Sequence, residues 1–144
     1  MYPISDIITL LEAAPDTSSY NIAKAQVIQP NYLDAATIPD PSVLLSYIGI
    51  ATENPNVPRS SCFVDDLAIN LTQTLGVYIF STLDNLPTVW RNVHKTLVGQ
   101  NTQPLEAQFT GLTYKEGTLI GIEGDYCWWL DYWQVGFPTV NQFA

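Results

Sequence analysis

Tyr126-Cys127-Trp128-Trp129-Leu130-Asp131-Tyr132-Trp133-Gln134-Val135-Gly136-Phe137 decides how this chain is read. Three of its four tryptophans fall in that stretch, and large apolar side chains occupy both odd and even positions. A strand sends successive side chains to opposite faces, so a run loaded in both phases is apolar on both sides. Cys127, Trp129, Trp133, Val135 and Phe137 share one phase, interrupted by Asp131; Tyr126, Trp128, Leu130 and Tyr132 share the other. The second set is richer in rings with a polar handle, the composition of interface hot spots. Tyr126, Trp128, Leu130 and Tyr132 are therefore the candidates for a subunit or partner interface. The chain's own helices can cover one face, and the other is expected to need a neighbour.

The text upstream supplies the rest of the sheet. Ile4, Ile7, Ile8 and Leu11 recur at helical spacing and predict a short opening helix that ends at Ala13-Ala14-Pro15. Tyr20–Ile28 reads as a first strand, 29–41 as a Pro-rich loop, and Ser42–Ile50 as a second, nearly continuously apolar and central strand. Pro55 and Pro58 mark 52–61 as a surface excursion. Leu67–Phe80 is the longest strand candidate, with Leu71, Leu75, Val77 and Ile79 in one phase. Asp84 or Asn85 caps a second helix, with Pro87 in its first turn, a stripe of Leu86, Trp90, Val93 and Leu97, and Gly99 as the C-cap. Gln108–Tyr114 and Thr118–Glu123 read as a hairpin around Lys115-Glu116-Gly117, and Gly124-Asp125 turns into the aromatic strand. Few helices and many strands predict one α+β domain over 1–144, a mostly antiparallel sheet with two main helices on one face.

Composition narrows the function classes. The chain is 47% hydrophobic and only 13% charged, against about a quarter charged in ordinary domains. Such a surface is better kept in an oligomer than alone. Fourteen acidic residues face five basic ones, a net charge of −9, which argues against binding nucleic acid through phosphates. Cys62 and Cys127 are too few and too distant to form a disulfide framework, so buried free thiols are expected. The opening residues show no basic-then-apolar leader, and no run is long enough to span a membrane, so synthesis in the cytoplasm is expected.

No residue pattern carries a catalytic, cofactor or metal site. His94 is the only histidine; it lies off the helical stripe and reads as a solvated residue, and no cysteine stands at ligand spacing to it. A Ser81/His94/Asp84 triad lacks a nucleophile elbow. Asp65 and Asp66 are strand neighbours and point to opposite faces. Asp125 and Asp131 flank the rings and suggest a hydrolase only if they face one another. Gly117, Gly121 and Gly124 do not follow the phosphate-loop order and read as turns or bulges.

Several segments resemble the tail terminator (tail-completion) proteins of contractile-tailed, Mu-like bacteriophages. They are Ser42-Val43-Leu44-Leu45-Ser46-Tyr47-Ile48-Gly49, Leu75-Gly76-Val77-Tyr78-Ile79, the helix Asp84…Val89…Val93…Leu97-Val98-Gly99, and the closing Trp129…Trp133-Gln134-Val135-Gly136-Phe137. These are packing patterns, and they cover roughly the last two thirds of the chain. The resemblance implies a non-enzymatic virion protein at the tail–neck junction, with no cofactor, that forms a homohexameric ring. Such a ring caps the tail tube and ends its polymerisation. It also contacts the tube and sheath proteins and a neck or head-completion protein, and lets DNA pass without specific binding. Another head–tail connector or neck subunit is the nearest alternative, and a tryptophan-rich carbohydrate-binding module resting on Trp128, Trp129 and Trp133 a more distant one.

Overall fold

A computed structural model describes residues 3–25, 38–52, 68–98 and 112–140. The elements run α1 (Ile4–Ala13), β1 (Asn21–Lys24), β2 (Ser42–Thr52), β3 (Ala68–Thr82), α2 (Leu86–Leu97), β4 (Thr113–Glu123) and β5 (Tyr126–Val140). The strands form one sheet in the order β1-β2-β3-β5-β4, with β1 parallel to β2 and every other pair antiparallel. This is the expected α+β architecture. Among the described residues no helix is long and apolar enough to cross a membrane.

The aromatic stretch owes its place to β3. The two strands pair without interruption from Ala68↔Val140 to Thr82↔Tyr126, so the two longest strands lie side by side near the middle of the sheet. Leu75, Val77 and Ile79 of β3, Val43 and Leu45 of β2, and Trp133 and Val135 of β5 turn to one face. Ile4, Ile7 and Leu11 of α1 and Val89, Val93 and Leu97 of α2 close over them. Each such side chain removed from water contributes about 1.5–3 kcal/mol before ordering costs. The α2 stripe is turned slightly from expectation: Val89 joins the core, while Leu86 and Trp90 are only partly buried at its margin.

Helix ends follow local chemistry. Pro87 sits in the first turn of α2, where its missing N–H costs nothing. The buried Thr17 hydroxyl donates to the Leu11 carbonyl beyond the end of α1, satisfying an acceptor the helix leaves open. The described part of α2 ends on an extended Val98, and Gly99 lies outside the described residues, as do Cys62, Asp65, Asp66 and nearly all of 52–61.

Two expectations need correction. Lys115-Glu116-Gly117 is not a turn: β4 runs straight through it, and the hairpin is β4–β5, closed at Gly124 (φ 62°) and Asp125. The strand instead carries bulges between Tyr114 and Glu116 and between Leu119 and Gly121. Secondly, β2 is interior only in part. Its register with β1 covers Ser42–Leu45, and further along Tyr47, Ile48 and Ile50 are each 45% exposed.

Candidate functional site

Asp131 stands in the helix-facing phase of β5, between Trp129 and Trp133, and is fully buried. A carboxylate in that register must be met by donors, because an unpaired buried charge is far costlier than any packing loss. Three converge on Oδ1: Trp129 Nε1–H donates at 2.7 Å, Trp90 Nε1–H at 3.2 Å and the Tyr114 hydroxyl at 3.2 Å. On the other oxygen, His94 Nε2 lies 3.5 Å from Oδ2, and neither atom has a hydrogen-bond partner among the described residues.

The elements explain the convergence. Trp90 and His94 are four apart on α2 and share a side of it, with their rings stacked at 3.7 Å. Tyr114 meets His94 edge-on at 4.4 Å, and Trp133 lies 4.9 Å away. Tyr114 and Gly117 are three apart and would face opposite ways on a regular strand. The bulge at Lys115 adds one residue and returns both to the helix side, opposite Trp133 and Asp131 respectively. Gly117 provides the room: a Cβ there would lie 2.4 Å from Asp131 Oδ1 and 2.7 Å from both Trp129 Cζ2 and Tyr114 Oη.

Burial sets the protonation chemistry. It lowers the His94 pKa from its usual range against the opposing pull of Asp131. It raises that of Asp131 against Trp129, Trp90, His94 and Tyr114. The Tyr114 hydroxyl is pushed up to about 12, by burial first and by Asp131 second. Burial thus works against the charged form of both His94 and Asp131, inside a box of aromatic rings.

This corrects the reading of His94 as a solvated residue. Its side chain is 13% exposed, because α2 lies across a sheet wide enough to cover more than the narrow Val89/Val93/Leu97 stripe. Asp125 does not join Asp131. It is exposed in the β4–β5 turn, six residues along, or roughly 20 Å of strand, beyond the about 5–9.5 Å of a glycosidase pair. Ser81 donates to the Thr82 carbonyl and Asp84 is exposed, so neither builds a triad with His94. Among the described residues no cluster of histidine, cysteine and carboxylate side chains could hold a metal ion.

The interface candidates occupy the opposite face of β5. Trp128 and Leu130 are only 3% and 5% exposed, so within one chain they pack as core. Phe80 of β3, paired with Trp128, lies 4.9 Å from its ring and stacks on Tyr126 at 5.2 Å. Tyr126 and Tyr132 are half-buried and remain reachable. The same burial removes Trp128, and Trp133 at 1% exposure, as sugar platforms. Trp129, Trp133 and Val135 turn to the helices, and packing against the neighbouring strand sets the exposure of the opposite phase.

No family model matches the chain, and no curated protein matches it.

Proposed function

We propose that this chain is a structural subunit that closes head-to-tail into a ring, hexameric in the tail-terminator reading. It would cap a phage tail tube and join it to the neck. The observation that carries the proposal is a pair of different apolar flanks at opposite sides of the sheet. On one, the part of β2 beyond β1 exposes Tyr47, Ile48 and Ile50; on the other, β4, the last strand in the order, exposes Leu119 and Ile122. A two-fold dimer needs one self-complementary patch, whereas two unlike patches suit a heterologous contact that closes into a ring. Long strand edges also offer unpaired backbone groups to a neighbour. The net charge of −9 suits a lumen through which DNA slides without sticking.

The test uses Ile48→Asp and Ile122→Asp. Native mass across dilution is expected to give a multimer for the parent chain and loss of it for each variant. Mixing the two variants leaves one intact junction, so the mixture stops at dimers. A parent chain that stays a single copy at high concentration, or a mixture that regenerates the full multimer, overturns the reading. Placement of the ring on purified tails by electron microscopy then separates a terminator from a neck subunit.

A further inference from the structure

Trp90 and Trp129 do more than close over Asp131. With Leu86, Pro87 and Arg91 they line a cavity of about 380 Å³ beside the first turns of α2. Among the described residues, two of the three side-chain hydrogen bonds accepted by Asp131 come from these two indoles. Burying a carboxylate is costly, and here it sets the ring planes of both walls before anything binds. Walls fixed in advance lower the ordering cost of binding.

The lining is almost wholly apolar, and both indole N–H groups are already engaged by Asp131. A sugar, with many hydroxyls to satisfy, finds few partners there; an aromatic ring finds two others. Among the described residues of the lining, the one charged side chain is Arg91, exposed and with no ion pair to another described residue, in a chain with only five basic residues. Leu119 pairs with Trp129 in register and is exposed, so the apolar wall runs on to strand β4 at the edge of the sheet. A protein segment can follow that route, whereas the cavity lies near the small end of ligand pockets, roughly 300–1,000 Å³.

We propose that this cavity is a docking site for a partner protein presenting an aromatic side chain beside a carboxylate, the ring against Trp90 and Trp129 and the carboxylate on Arg91. The proposal goes beyond the ring reading and stands on the cavity alone, so it holds even for a single copy.

The probe is the peptide acetyl-Gly-Phe-Asp-Gly-amide, titrated into the full chain while the assigned indole N–H signals are followed by NMR. Controls replace Asp by Lys, or Phe by Ala. The Phe-Asp peptide is expected to bind at roughly millimolar concentration, moving the Trp90 and Trp129 signals and sparing those of Trp128 and Trp133. The Phe-Lys peptide should bind about two- to fivefold more weakly, the scale of one exposed ion pair. Arg91→Gln, at an exposed position, should erase that difference while keeping the dependence on Phe. Any of three results overturns the proposal: no shift at about ten times the expected concentration, shifts indifferent to Arg91→Gln, or a peptide-induced fall in native mass. The last would assign the cavity to a second copy of the chain.

Discussion

Gly117→Ala isolates the space on which the Asp131 cluster depends. The new Cβ would sit 2.4 Å from Asp131 Oδ1, where ordinary contact begins at 3.4 Å, so the oxygen must retreat by about 1 Å (3.4 − 2.4). Its bonds from Trp90 and Tyr114 are already 3.2 Å long and leave hydrogen-bonding range with such a shift. Trp129 and the Tyr114 hydroxyl, each 2.7 Å from the same Cβ, block the other directions. Two bonds to a charged acceptor are worth about 1.5–3 kcal/mol each. The loss of glycine's freedom in the unfolded chain returns about 0.4–1 kcal/mol. The expected net destabilisation is therefore about 2–6 kcal/mol.

Gly121→Ala is the matched comparison. It lies on the same edge strand, and a Cβ there meets nothing within 4 Å, so it should change stability by less than about 1 kcal/mol, with either sign. Urea unfolding followed by tryptophan fluorescence and far-UV circular dichroism, at one protein concentration and with native mass checked, reads both variants. If Gly117→Ala falls within about 0.5 kcal/mol of Gly121→Ala, the cluster yields freely and the geometry assigned to it is wrong.

Three further outcomes follow from the same site. Asp131→Leu should cost about 3–5 kcal/mol by leaving two indole N–H groups and a hydroxyl buried without an acceptor, and Asp131→Asn, which keeps a carbonyl oxygen, distinctly less; denaturant midpoints decide. For pH, His94 is held below its unfolded value by burial, so the unfolded chain binds the proton first. Parent stability should fall relative to His94→Gln as pH drops below about 6.5. Asp131 is shifted up and acts with the opposite sign: the parent should gain on Asp131→Asn as pH falls through the raised pKa towards about 3.9, read from urea midpoints in a pH series. Cys127 is a buried free thiol whose pKa burial raises. In a Cys62→Ser background it should resist iodoacetamide at neutral pH until urea unfolds the chain, with mass spectrometry as the readout.

What could be read from sequence was what one element decides alone. Ile4, Ile7 and Leu11 place α1 correctly because a single helix needs only its own period, and Leu75, Val77 and Ile79 do the same for β3. Lys115-Glu116-Gly117 has the composition of a turn, yet its glycine answers a carboxylate on the neighbouring strand, a demand that no local window contains. His94 reads as solvated by helical spacing alone; Tyr114 and Trp133, which enclose it, reach it only through the β4–β5 register. Trp128 and Leu130 stand in the phase that turns away from the helices, but their burial within one chain is not visible in their own strand, since β3 supplies Phe80 beside them. One local sign did point to the cluster: an acid in an otherwise apolar phase, next to side chains that can donate to it.

That acid is hard to justify by stability alone. A well-packed apolar set in place of a buried ionic group and all of its partners together is often as stable or more so, and the core around position 131 is already rich in large rings. Directional bonds do what apolar contact does not. A helix held only by Val89, Val93 and Leu97 can roll or slide at little cost, because one methyl contact substitutes for another. The Trp90 and Tyr114 bonds to a single oxygen fix α2 and β4 against β5 at once. In Asp131→Leu, the Trp90 and Trp129 indole protons should therefore exchange with solvent faster than in the parent, even under conditions where far-UV circular dichroism reports an intact fold. Equal exchange would mean that apolar packing alone sets the seat of α2, and that the carboxylate positions nothing.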